Sequence, residues 1–73
     1  MLPMRSVIIT KEPVELYKIL KFEGLVATDG EAKLAIGGGL VLVNGEVETR
    51  KRRKIVGGDT IEFGGETLGV RLA

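Results

Sequence analysis

The chain has 73 residues, 11 basic and 10 acidic, with a net charge of +1 and neither cysteine nor histidine. That length bounds it to a single domain, residues 1–73, which buries only about 60 to 65% of the surface its unfolded form exposes and so has a small core. The missing cysteines exclude disulfides and thiolate chemistry, and the missing histidines remove the usual general base and the commonest metal ligand.

The N-terminal segment Met1 to Met4 is too short for a signal peptide and has no apolar stretch behind it. Ser6-Val7-Ile8-Ile9-Thr10 is short and β-branched, which predicts a strand. Pro13 then stands where the first turn of a helix is expected, because its missing N–H does no harm there. Val14, Leu16, Tyr17, Ile19, Leu20 and Phe22 supply the apolar stripe of that helix, with Glu15, Lys18 and Lys21 toward water and Gly24 as the stop. Thr28-Asp29-Gly30-Glu31 has the spacing of a capping box, in which Thr28 accepts from the Glu31 N–H while Glu31 reaches back, so a second helix starts at Asp29. Ala32, Leu34, Ala35 and Ile36 continue it until Gly37-Gly38-Gly39.

From Leu40 the pattern turns to β. Asn44-Gly45, set between Val41-Leu42-Val43 and Glu46-Val47-Glu48, is a hairpin signal because a type I′ turn needs φ > 0 at both central residues. Gly57-Gly58-Asp59 marks another turn, Thr60 to Phe63 a strand, Gly64-Gly65 a reversal and Thr67 to Leu72 the last strand. The expected fold is α+β: two packed N-terminal helices against a small, mostly antiparallel sheet, with a short N-terminal strand. Leu40 to Val43, the longest apolar run, is far short of the roughly 20 residues that cross a bilayer. Small secreted domains tend to need staples. A soluble, cytoplasmic protein is therefore expected.

Arg50-Lys51-Arg52-Arg53-Lys54 breaks the even mixture of signs. Without those five residues the chain holds 6 basic and 10 acidic side chains, a net of −4. A cationic segment on an anionic body implies a located electrostatic task. If extended, the run aims Arg50, Arg52 and Lys54 to one side and Lys51 and Arg53 to the other, with same-side neighbours roughly 6.6 Å apart. Such a row can follow a phosphate backbone, and four engaged phosphates predict a slope of log K against log salt of roughly −3 to −3.6. The competing reading is that the charges guard an exposed sheet edge, for which one or two would suffice.

Gly24-Leu25, Ala32-Lys33, Gly39-x-Val41-x-Val43-Asn44-Gly45 and Gly58-Asp59-Thr60-Ile61 together resemble the S-four domain, the RNA-binding domain named after the fourth protein of the small ribosomal subunit. The similarity covers about residues 14 to 63, and Glu48-Thr49-Arg50-Lys51-Arg52 with Lys54-Ile55 is similar to its small stand-alone bacterial members of the YbcJ type. The resemblance implies the alpha-L RNA-binding fold and binding of structured RNA, such as ribosomal or transfer RNA, through the helix pair and adjoining loops. It also implies roles for Lys33, Asn44 and Gly45, which match a commonly basic position and the family's turn. Glu15, Tyr17, Thr28 and Asp29 depart from its pattern of Arg-x-Asp and Ser-Arg. The helical RNA face is thereby weakened, and the basic run is expected to take over part of its work.

Other chemistries fit less well. Gly37-Gly38-Gly39 follows a helix and lacks the Lys-Ser/Thr of a P-loop, and Asp29, Glu31 and Asp59 serve as cap and turn residues without a nucleophile beside them. A DNA-reading helix-turn-helix needs a polar second helix, whereas Lys33 is its one basic side chain here. Phe22 and Phe63 are expected in the core, as is Tyr17 with its hydroxyl at the rim, so no platform for stacking bases is expected. The expectation is a non-catalytic protein without cofactor or metal. Its RNA contacts are Arg50, Lys51, Arg52, Arg53 and Lys54, with Lys33, Asn44 and Gly45. Lys18 and Lys21 extend the patch if their helix face lies beside it. The expected partner is structured RNA, with the ribosome as a setting, and neither a membrane nor a small-molecule substrate. The alternative is a protein-interaction module of β-grasp type, without carrier activity because the chain ends Val70-Arg71-Leu72-Ala73 and not in Gly-Gly.

Overall fold

Arg5, Val7 and Ile9 alternate with the exposed Met4, Ser6 and Ile8, and this period of two builds the first strand, β1, from Met4 to Ile9. The computed structural model describes residues 4–73. After β1 come β2 (Val14–Glu15), α1 (Leu16–Phe22), α2 (Asp29–Gly37), β3 (Leu42–Val43), β4 (Glu46–Val47), β5 (Lys54–Ile55), β6 (Thr60–Phe63) and β7 (Glu66–Leu72). The fold is α+β, as expected, but its helices are not N-terminal: two strands precede them. Five strands form one sheet in the order β1-β7-β6-β3-β4, and β2 pairs with β5 in a separate two-stranded sheet. Every pairing is antiparallel except that of β1 with β7. One buried cluster joins Val7 and Ile9 of β1, Leu16, Ile19 and Leu20 of α1, Ala32, Ala35 and Ile36 of α2, and Val43, Ile61, Leu68 and Val70 of the sheet. No helix among the described residues is long and apolar enough to cross a membrane.

Pro13 does not open α1. Val14 and Glu15 are drawn out of the helix by pairing with Ile55 and Lys54, so the helix starts only at Leu16. Phe22 is also not a core residue, since it is 75% exposed. At about 100° per residue it lies roughly 120° around α1 from Leu16 and 160° from Leu20, at the margin of the buried stripe beside Ile19 and at the last position of the helix. Leu34 is 78% exposed because it lies opposite Ala32, Ala35 and Ile36 on α2. Phe63 packs partly buried against the core.

The local turn signals hold. Thr28 Oγ1 accepts from the Glu31 N–H at 3.1 Å, and the Glu31 carboxylate reaches back to the Ala27 N–H, one residue before the expected one. Asn44 and Gly45 have φ of 53° and 83°, the left-handed pair that a type I′ hairpin requires.

Candidate functional site

A helix leaves its first N–H groups without intrahelical partners. In α1 no side chain caps them. The main chain of the basic loop does so instead: the Leu16 N–H donates to the Arg53 carbonyl at 2.9 Å and the Tyr17 N–H to the Lys51 carbonyl at 3.2 Å. The loop is thus seated on the start of α1, far from it in sequence.

Its conformation is a turn, not a strand. The Arg53 N–H donates to the Arg50 carbonyl at 3.2 Å, which closes residues 50–53 and overturns the two-sided alternation expected for an extended run. Glu48 organises that turn. It is 7% exposed, and its carboxylate accepts from the Arg50 N–H, Nε and Nη2 at 3.0–3.1 Å and from Arg53 Nη1 at 2.9 Å. Hydrogen bonds from the Arg50 and then the Arg53 side chains outweigh the opposing effect of burial and hold its pKa down at about 2, while the same carboxylate raises that of Arg50.

Three elements meet around Tyr17, which is buried. The Lys33 ammonium on α2 stands 4.8 Å from its ring centre, the Arg52 guanidinium from the loop 5.7 Å and the Lys18 ammonium of α1 5.9 Å. Each lies within reach of the ring's negative face, an attraction of about 0.5–1 kcal/mol at an exposed site. Like charges gathered so closely repel one another, and Glu15 offsets part of that by pairing with Lys18 at 3.4 Å and Arg52 at 3.6 Å. Lys33, Lys51 and Lys54 make no ion pair among the described residues. A cationic surface with surplus charge on several elements is suited to a polyanion.

The other expected residues are placed less uniformly. Arg50, Arg52, Arg53 and Lys54 line an open hollow of about 450 Å³. Lys51 runs past the end of α2, with its Cε about 3.7 Å from where a side chain on Gly37 would begin. Lys21 pairs with Asp29 at 3.7 Å. Asn44 and Gly45 sit at the turn end of the β3–β4 hairpin, whereas the basic loop leaves from its other end. Both polar ends of the Asn44 side chain are engaged there, with Asp59 at 3.1 Å and the Thr60 N–H at 2.9 Å.

Tyr17 and Glu48 take roles at this site that their places in the sequence do not show. Tyr17 is buried in the core, as expected, and is also the ring around which the cations assemble, which no one-dimensional spacing reveals. Glu48 was read as the end of a strand. Its signal was available, since a lone acid two residues before a run of five cations is well placed to pair with them.

Residues 7–71 match the model of the S4 domain. The chain belongs to the S4 domain family. Among its relatives is the YbcJ protein of Escherichia coli (strain K12), 51% identical over 57 residues that cover 78% of this chain and 81% of the relative. A YbcJ protein of Shigella flexneri matches with the same identity and coverage. The solution structure of YbcJ from E. coli superposes with a TM-score of 0.73 at 46% identity, covering 97% of this chain and 91% of that one. That structure is described as revealing an alpha-L motif involved in RNA binding. The S4 domain and its YbcJ-type branch are the family to which the residue motifs pointed.

Proposed function

We propose that this protein is a non-catalytic, cytoplasmic RNA-binding protein. It holds structured RNA, ribosomal or transfer RNA, by its phosphates and works in association with the ribosome. The observation that carries the reading is the convergence of Lys18, Lys33 and Arg52, from three elements, on the ring of Tyr17 beside a basic loop seated on α1. Membership of the S4 domain family supports it, as does the RNA-binding motif described for the E. coli relative. The binding surface is the loop from Arg50 to Lys54 with Lys33 and Lys18. Lys21, Asn44 and Gly45 serve helix pairing and the hairpin turn.

The test is binding of labelled ribosomal RNA fragments, transfer RNA and an unrelated duplex over a salt series, by the intact protein and by the double variant Lys33→Gln/Arg52→Gln. Loss of two phosphate contacts flattens the slope of log K against log salt by roughly 1.4 to 1.8. A preference for one RNA identifies the target. Absence of RNA binding by the intact protein at moderate salt would overturn the reading.

A further inference from the structure

The five cations of the basic run are not equivalent, because their side chains are held differently. Arg50 and Arg53 both bind one carboxylate, that of Glu48, while Lys51 and Lys54 have no ion-pair partner among the described residues and Arg52 leans over Tyr17. Glu48 accepts from Arg50 through Nε and Nη2, one edge of its guanidinium, and through its backbone N–H, and accepts from Arg53 through Nη1. Those two arginines are the first and last residues of the turn. The same turn supplies the Lys51 and Arg53 carbonyls that cap α1 beside Tyr17.

Resting on the RNA-binding reading, we propose that Glu48 is a positioning residue. Its carboxylate shapes the 50–53 turn so that Lys51 and Arg52 are presented with Lys33 as the phosphate contacts, and Arg50 and Arg53 serve the turn. An acidic residue inside a polyanion-binding surface otherwise works against affinity, because like charges repel. Its cost is offset by presenting Lys51 and Arg52 already ordered, which removes a conformational penalty from binding.

The two roles predict opposite signs for one substitution. Glu48→Gln keeps the shape and removes the one negative charge held beneath the loop, raising the net charge by one. If charge alone governs, the variant binds RNA more tightly. If Glu48 positions the loop, affinity for a labelled ribosomal RNA fragment falls at least about fivefold, the penalty for ordering one or two long side chains on binding. The salt slope stays within about half a unit, because the same phosphates are engaged once the loop is ordered. Arg50→Lys supplies the second arm: it conserves charge but loses the planar fork that meets the carboxylate with two donors. Its side chain is 73% exposed, so the fold survives the change.

Weaker binding by both variants at unchanged slope is the expected result, with circular dichroism confirming that each is folded; should Glu48→Gln not fold, Arg50→Lys decides. Tighter or unchanged binding by folded Glu48→Gln, or intact affinity in Arg50→Lys, overturns the inference and leaves the RNA-binding reading standing. No binding by the intact protein overturns that reading, and the inference with it.

Discussion

Glu48 also contributes to how the protein responds to acid. A carboxyl whose pKa falls from 4.5 to about 2 on folding stabilises the folded state wherever the unfolded chain would otherwise hold more protons. That contribution is fully present above pH 4.5 and is lost as the pH falls through about 2. The expected outcome is a urea midpoint that declines across this window in the intact protein and declines less in Glu48→Gln, with the difference between them shrinking toward the acid end. Parallel curves would mean that the carboxylate is as well solvated when folded as when unfolded. Arg50 and Arg53 share the effect through their hydrogen bonds to Glu48, so Arg53→Gln should flatten the same window in part.

The two helices show how much a change depends on which face of an element it touches. On α1, Leu20 is fully buried and Phe22, two residues on, is mostly exposed. Leu20→Ala should therefore cost about 2–5 kcal/mol of unfolding free energy. Phe22→Ala should stay within about 0.5 kcal/mol, as surface changes do. Chemical denaturation of both variants checks this, and a large cost for Phe22→Ala would show that its ring packs on something. Local signals made several elements readable: Thr28 and Glu31 announced the start of α2, and Asn44-Gly45 announced the hairpin, because each acts within a few residues. Residues distant in sequence decided the rest. Val14 and Glu15 are extended because Ile55 and Lys54 pair with them, and β1 finds its partner only in β7 at the other end of the chain, where Val7 stands opposite Val70 in the buried cluster. The site divides in the same way. Its charges stood plainly in residues 50–54, whereas the turn imposed by Glu48 and the gathering at Tyr17 require the folded chain.

For the molecule as a whole, the question is whether the basic loop unfolds with the core or opens by itself. Arg52 and Arg53 immediately precede β5, whose Ile55 is fully buried in the cluster that includes Leu16 and Leu20. Opening the loop therefore requires breaking the β2–β5 pair and the two bonds from the start of α1, unless those bonds can part while Ile55 stays in place. Burial of Ile55 favours joint unfolding. A domain of this length has roughly 4 to 11 kcal/mol of stability at about 0.05–0.15 kcal/mol per residue, and Ile55→Ala should remove about 2–5 kcal/mol of it. Hydrogen exchange then separates the alternatives. The amide protons of Leu16 and Tyr17 point at loop carbonyls, so in a jointly unfolding domain they exchange with the same opening free energy as those of β7, and Ile55→Ala lowers both equally. If Leu16 and Tyr17 exchange much faster than β7, the loop opens from an intact core, and the cationic surface is assembled only part of the time.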